Sequence, residues 1–327
     1  MEENLLTIHN IAIAAGQKEI VKIPVGRLPS GNQIRIQAHV FRAVQPGPTM
    51  LVLAGVHGDE INGVEIVRRA LQQDYFEHLT AGSVIVIPIL NLYGFLNYSR
   101  DVPDGKDVNR SFPGSLNGSL ASRVARTLVN KILPHIDFCI DFHTGGNGHY
   151  NYPQIRFSKG DTASEELARA FGAPFLIEKP PLPHSLRKTC LEMHKPIIVF
   201  EGGENFRYDG LSIEKGLLGL KRILLHKGMI SQPVDIVSQP VVFRKSSWIR
   251  TPRAGMFLWI KNSGHQIHKG EVLGIINDPY GQEYTKVKAS RDAYIIGHNN
   301  APLVNQGDAL FHIAWHADDD GSSEAEE

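Results

Sequence analysis

A histidine and a glutamate three residues apart, His57 and Glu60, are the first residues of the chain whose types and spacing suit chemistry. Side chains three residues apart lie on one face of a helical turn, so both could bind one metal ion. A helix cap is the alternative, because the carboxylates of Asp59 and Glu60 also suit a helix N-terminus. The motif alone leaves both interpretations open.

Two later segments supply residues that complete a metal site. His143 follows the apolar run 136–142 beside the carboxylate of Asp141, and Glu201 ends the apolar run 197–201. Two histidines and one carboxylate leave one zinc position open for water, as in catalytic zinc sites. Zinc lowers the pKa of that water, and a carboxylate outside the ligand set can accept its proton. We expect Glu201 to be that carboxylate.

The segment 91–114 lies between these clusters and carries Arg100, Asn109 and Arg110 among many turn residues. A solvated polar loop is the simplest explanation of such a composition. If the loop faces the metal site, its cations could bind an anionic substrate group and stabilise the oxyanion formed when a carbonyl is attacked.

The elements that must position these residues are visible as apolar runs bounded by turn residues. Such runs predict buried strands at 50–56, 84–90, 136–142 and 197–201. Apolar residues at spacings of three or four predict helices at 61–73, 119–133 and 164–172. This alternation predicts an α/β fold with a mixed, mostly parallel sheet flanked by helices, in which sites gather beyond the carboxyl ends of strands. The alternating pattern of the first 45 residues predicts strands at the sheet edge.

The chain has a different texture after residue 231. Short alternating segments and glycine turns predict a small all-β domain at 232–316, following a catalytic domain at 1–231. The 34 Lys and Arg residues balance 34 Asp and Glu residues, but six of the acids lie in 317–327, an expected disordered acidic tail. Residues 1–316 therefore carry a net charge of +6, which is low for a nucleic-acid-binding protein.

Composition excludes several protein classes. The 327 residues, 42% of them hydrophobic, can fill about two domains and do not suit a disordered or collagenous chain. The sequence has no apolar run of about 18 residues and begins with an acidic segment, so we expect a cytoplasmic protein with no membrane partner. Two cysteines, Cys139 and Cys190, are too few for a disulfide framework, and neither is a candidate nucleophile.

Together, the motifs within residues 46–205 resemble those of the succinylglutamate desuccinylase/aspartoacylase family, a branch of the zinc carboxypeptidase-like fold. The resemblance implies one Zn²⁺ per chain, bound by His57, Glu60 and His143. It further implies that Glu201, in a Glu-Gly-Gly segment, is the catalytic glutamate.

The same resemblance gives roles to the loop residues. It implies that Asn109 and Arg110 contact the substrate and that Arg100 polarises the scissile carbonyl. The form Asp-x-Asn-Arg-x-Phe-Pro-Gly at 107–114 is more similar to relatives that deacetylate N-acetylated diamino acids. Where aspartoacylases carry the arginine that binds the acidic group of the substrate, this chain has Cys190, with Arg187 three residues earlier.

The C-terminal segment has a resemblance of its own. Residues 268–274, followed by 278–281, are similar to the barrel-sandwich fold of biotinyl and lipoyl carrier domains. A carrier needs a lysine at its hairpin tip, and this turn has none. We therefore expect a structural or substrate-gating role for the segment.

The sequence thus predicts a zinc-dependent amidohydrolase that removes an acetyl-type or succinyl-type group from a small anionic N-acylated amino acid. A homo-oligomer is compatible with the sequence, whereas nucleic-acid and membrane partners are not expected. Two alternatives stay open: a metallocarboxypeptidase that acts on peptides, and a non-catalytic carrier or binding module. Turnover of long peptides would favour the first, and a lipoyl or biotinyl adduct would favour the second.

Overall fold

The computed structural model describes residues 5–235 and 239–316 of the chain, so the predicted acidic tail at 317–327 lies outside the described residues. The helices of the described part are α1 Ile61–Gln72, α2 Leu92–Leu96, α3 Leu120–Lys131, α4 Thr162–Phe171, α5 Leu186–Glu192 and α6 Gly210–His226, with short 3-10 helices at Val108–Arg110 and Leu133–His135. The strands of the same residues are β1 Leu6–Ile8, β2 Ile11–Ile13, β3 Lys18–Arg27, β4 Gln33–Arg42, β5 Thr49–Ala54, β6 Ser83–Ile87, β7 Phe138–Gly145, β8 His149–Ser158, β9 Phe175–Lys179, β10 Ile197–Glu204, β11 Val241–Phe243, β12 Lys245–Arg250, β13 Gly255–Trp259, β14 Gln266–Ile267, β15 Val272–Asn277, β16 Tyr284–Lys288, β17 Ala293–Asn299, β18 Leu303–Val304 and β19 Ala309–Trp315.

The four predicted core strands form the parallel centre of one large sheet. They lie in the order β10-β7-β5-β6, with each neighbouring pair parallel. Antiparallel strands flank this centre, with β8 beside β10 on one side and β4 and β3 beyond β6 on the other. The α/β prediction is confirmed, and the N-terminal strands β3 and β4 lie at an edge of the sheet as predicted, whereas β1 and β2 form a separate two-stranded sheet. The carboxyl ends of β5, β7 and β10 therefore meet at one edge of the parallel centre.

Helices cover both faces of this centre because its strands are apolar on both sides. Leu51 and Leu53 of β5 face a core that includes side chains of α3 and α5. Met50 and Val52 face the opposite core, which includes side chains of α1, α4 and α6. Full burial of each such side chain stabilises the fold by about 1.5–3 kcal/mol. The three predicted helices are confirmed, whereas α2, α5 and α6 were not predicted.

The C-terminal strands continue the central sheet. Strand β17 pairs with β8, so β17, β19 and β12 extend the sheet beyond its parallel centre. A second sheet of four strands, in the order β16-β15-β13-β18, packs on an apolar core that it shares with β17 and β19 of the large sheet. The pairing of β17 with β8 brings strand β12 close to the part of the large sheet that carries the candidate site. The division into domains at 1–231 and 232–316 stays a prediction.

Within the described residues, no helix is both long and apolar enough to cross a membrane.

Candidate active site

The turn between β5 and α1 carries the His-x-x-Glu motif. Glu60 is the residue that precedes α1, but its side chain makes no capping hydrogen bond to the helix. Instead, Glu60 Oε1 lies 2.6 Å from His57 Nδ1. The backbone of Gly58 packs so tightly on the α2 segment that a Cβ atom there would lie 2.0 Å from the backbone carbon of Gly94. Because the Glu60 side chain contacts His57 and not the helix backbone, the geometry favours the metal site over the helix cap.

His143, near the end of β7, completes a cluster of three buried ligand-type residues. Its Nδ1 lies 2.9 Å from Glu60 Oε2 and 3.2 Å from His57 Nδ1. One donor atom from each of His57, Glu60 and His143 can be chosen so that all three lie within 4.8 Å of one another. The parallel strands β5 and β7 are neighbours, so these residues from distant parts of the sequence meet at one sheet edge.

Two further carboxylates hold the outer nitrogens of the histidine rings. His143 Nε2 lies 2.8 Å from Asp141 Oδ2, and His57 Nε2 lies 3.2 Å from Asp107 Oδ1. Asp141 and Asp107 can only accept, so Nε2 of each ring carries a proton, while Nδ1 of each ring faces Glu60 at the centre of the cluster. Metal-binding histidines are commonly oriented in this way, since the carboxylate fixes the ring and strengthens it as a ligand.

The electrostatics of the cluster also suit a cation. Burial raises the pKa of Glu60, but His57 and His143 outweigh burial and hold this pKa well below its usual range. Burial lowers the pKa of His143, but Asp141 and Glu60 outweigh it and raise this pKa well above its usual range. The cluster thus favours positive charge between the rings, in a place where a metal ion would compete with protons. Two nitrogen donors and one carboxylate match the ligand set of a catalytic zinc site.

Arg100 lies at the rim of this cluster. Its Nη1 is 3.2 Å from Glu60 Oε1, and its Nη2 is 2.8 Å from Asp107 Oδ2. The side chain is only 30% exposed, and burial by itself lowers the pKa of Arg100. The carboxylates of Glu60 and Asp107 outweigh this effect, so the pKa of Arg100 is raised. A fixed guanidinium beside the candidate metal ligands is suited to stabilise negative charge that develops on a carbonyl oxygen.

Glu201 lies on β10, in parallel register with His143 on β7. Both of its carboxylate oxygens are held by side chains of the antiparallel neighbour β8. Asn151 Nδ2 donates to Oε2 at 2.8 Å, and Arg156 Nη1 lies 3.0 Å from Oε1. The register of β8 against β10 shifts between Glu201 and Gly203, where φ is +77°.

The candidate substrate residues of the 91–114 segment line the same cavity, whose volume is about 260 Å³. Asn109 Oδ1 accepts a hydrogen bond from the backbone of Leu186 at 2.9 Å, and exposed Arg110 donates to the carbonyl of Asn109 at 2.7 Å. The cavity thus brings together all the residues that the sequence predicts for the site: His57, Glu60, Arg100, Asn109, Arg110, His143 and Glu201.

Three further lining residues come from elsewhere in the fold. Arg156 comes from β8 and Arg187 from α5, while Trp248 comes from β12, where its indole stacks on His312 with ring centroids 4.4 Å apart. Arg156 and Trp248 were not predicted as site residues, because no local motif surrounds either of them. For Arg187 there was a signal, since it lies three residues before the position of the substrate-binding arginine of aspartoacylases.

Comparison with known proteins identifies the family of the chain. A model of the succinylglutamate desuccinylase/aspartoacylase catalytic domain matches residues 46–227. The chain belongs to the succinylglutamate desuccinylase/aspartoacylase family. The chain is 27% identical over 315 residues to the N-alpha-acetyl-L-2,4-diaminobutyric acid deacetylase of Halomonas elongata, and the match covers 91% of each protein.

Solved structures of the family have the same fold. A product-bound ectoine utilization protein EutE (DoeB) from Ruegeria pomeroyi aligns with a TM-score of 0.84 at 22% identity, covering 96% of this chain and 99% of that one. A succinylglutamate desuccinylase/aspartoacylase from Rhodobacter sphaeroides aligns with a TM-score of 0.80 at 24% identity, covering 92% and 95%.

Family membership confirms the predicted reaction class. Deacetylases, desuccinylases and aspartoacylases all hydrolyse amide bonds, so the chain is a hydrolase of linear amide bonds, an N-deacylase. The alternative of a non-catalytic carrier module, which the sequence left open, is therefore wrong.

Proposed function

We propose that the protein is a zinc-dependent deacylase that removes a short acyl group, acetyl in the first instance, from a small amino acid with a free carboxylate. The observation that carries this proposal is the convergence of His57, Glu60 and His143, whose donor atoms lie within 4.8 Å of one another in the cavity that also contains Glu201. The deacetylase name of the Halomonas elongata relative supports acetyl as the acyl group.

The roles of the residues follow from their positions. His57, Glu60 and His143 would hold the zinc ion, which supplies a Lewis acid and a water molecule of lowered pKa. Glu201 accepts a proton at its carboxylate and returns it to the nitrogen of the departing amine. Arg100 faces the oxygen of the scissile carbonyl and stabilises the charge that forms there as the amide is attacked.

The size and charge of the cavity support a small anionic substrate. A volume of about 260 Å³ suits one amino acid and a short acyl group better than a peptide. Arg110 and Arg187 donate to backbone carbonyls, and within the described residues neither forms an ion pair with a carboxylate. Their charges are thus available to a carboxylate of the substrate, with Asn109 positioned beside Arg110.

Two subsidiary proposals accompany this function. Residues 1–231 act as the catalytic domain and residues 232–316 as a β domain that narrows the cavity through Trp248. The protein acts in the cytoplasm.

A substrate screen with a measured metal content tests the proposal. Zinc-loaded protein is assayed with N-acetyl, N-succinyl and N-formyl amino acids, including N-acetylated diamino acids, and with acetylated peptides. We expect turnover of small N-acetyl amino acids and its loss in Glu201→Gln, which leaves zinc binding unchanged. Arg169→Gln is the control, because Arg169 pairs with Glu165 on the exposed surface of α4. Preferred turnover of long peptides, or full activity of Glu201→Gln, contradicts the proposal.

A further inference from the structure

Both oxygens of the Glu201 carboxylate are held by side chains of the neighbouring strand β8. Its side chain is 11% exposed, and each of its two oxygens has a partner on β8. Asn151, itself buried, donates to Oε2 at 2.8 Å, and Arg156 contacts Oε1 at 3.0 Å. A carboxylate with both oxygens engaged loses rotational freedom about its last bond, so these two contacts define its orientation in the cavity.

The backbone explains why Arg156 reaches this carboxylate. Arg156 is opposite Val199 in the antiparallel pairing of β8 with β10. Val199 is two residues before Glu201 on the same strand, so its side chain and that of Glu201 share a face of the sheet. Cross-strand neighbours on one face lie within reach of a long side chain. The ion pair is therefore built into the register of two hydrogen-bonded strands.

Arg156 also belongs to a cation-rich corner of the cavity. Burial and the neighbouring Arg156 together lower the pKa of Arg187 to about 10, whereas Glu201 acts in the opposite direction. Burial, Arg156 and Arg187 lower the pKa of Lys179. Glu201 is thus a carboxylate that offsets several cations, and the guanidinium of Arg156 is in direct contact with it.

We propose that Arg156 is a positioning residue that acts through Glu201, holding the carboxylate at the orientation from which it exchanges a proton with the reacting groups. This inference rests on the proposed function, because it takes Glu201 as the proton acceptor. It differs from a substrate-anchoring role, in which Arg156 would bind the substrate carboxylate directly. A misplaced base slows the chemical step, whereas a lost anchor weakens substrate binding.

A double-mutant cycle separates these roles. Arg156→Gln is expected to lower kcat by about tenfold or more with little change in KM, and Arg156→Lys, which keeps the cation, to recover part of kcat. In a Glu201→Gln background, the same Arg156→Gln change is expected to alter the residual kcat by less than about twofold. Equal losses in both backgrounds overturn the proposal, and so does a rise in KM at unchanged kcat. Arg169→Gln serves as the matched surface control.

A second measurement tests the coupling without substrate or metal. Urea midpoints are compared for the metal-free wild type, Arg156→Gln, Glu201→Gln and the double variant. Either single change removes the Arg156–Glu201 contact, which the second change cannot remove again, so we expect the double variant to lose less than the sum of the two single losses. Additive losses contradict the inferred coupling. Because this cycle needs no turnover, it distinguishes a failure of the inference from a failure of the proposed function.

Discussion

In the proposed zinc site, the carboxylate of Asp141 would set the ligand strength of His143, and removing its charge perturbs the site while leaving every proposed ligand in place. The two side chains are almost fully buried, at 1% and 4% exposure, and the Asp141 Oδ2 to His143 Nε2 distance is 2.8 Å. In Asp141→Asn the side chain keeps its size but becomes neutral. The ring nitrogen then donates to an amide oxygen rather than to a carboxylate.

The expected magnitude follows from the type of hydrogen bond lost. Hydrogen bonds to charged groups contribute about 1.5–3 kcal/mol and neutral ones about 0.5–1.5 kcal/mol, a difference of about 1–1.5 kcal/mol. That difference corresponds to about a tenfold change in an equilibrium constant. Loss of such outer carboxylates typically weakens metal binding by about 10–100-fold, so we expect zinc affinity to fall at least about tenfold.

The assay is a competition for zinc between the protein and a chromogenic chelator, followed for wild type and Asp141→Asn at the same pH. Asp292→Asn is the matched control, because Asp292 lies 3.6 Å from His268 in a pair whose side chains are 75% and 61% exposed. The control should bind zinc as the wild type does. Zinc affinity of Asp141→Asn within about twofold of wild type would refute the assigned ring orientation.

Three other substitutions test separate parts of the structure. Gly58→Ala should lower the free energy of unfolding by about 1–3 kcal/mol in urea titrations, since its Cβ would meet the backbone of Gly94; wild-type stability would contradict this packing. Burial lowers the pKa of His298 to about 4 from 6.5, so the unfolded chain takes up this proton first and stability falls as pH drops from about 6.5 to 4. His298→Asn should remove about 3 kcal/mol of that pH-dependent loss, and an unchanged stability profile would exclude a neutral buried ring. Trp248→Ala should raise KM by about threefold or more with zinc content unchanged, whereas an unchanged KM would exclude Trp248 as a cavity wall.

The sequence was most informative where candidate metal-binding or catalytic residues directly follow an apolar run. Strands β5, β7 and β10 are mostly apolar in their first halves, and the polar residues at or just beyond their carboxyl ends stand out for that reason. Parallel pairing then brings these ends together, which made a single site predictable from three separate motifs. Whether Glu60 suits a helix cap or a metal site could be judged only from the structure, because helix caps and metal ligands share the same residue types.

Side chains that reach the site through tertiary pairing were not predictable. Arg156 contacts Glu201 only because β8 returns antiparallel beside β10, and the register shift at Gly203 has no local sequence signature. Trp248 lines the cavity because β17 joins the C-terminal strands to the central sheet. Helix α6 was missed in a segment whose three glycines lower its intrinsic helix propensity, although tertiary packing against α1 and α4 stabilises it.

Zinc content per chain, measured by elemental analysis on the samples used to assay deacylation, tests the central claim most directly. The wild type is predicted to contain one zinc ion per chain and to release acetate from a small N-acetyl amino acid. His143→Ala, which removes one of the three converging ligands, is predicted to lose both the metal and the activity. Full zinc content and full activity in His143→Ala would contradict the account.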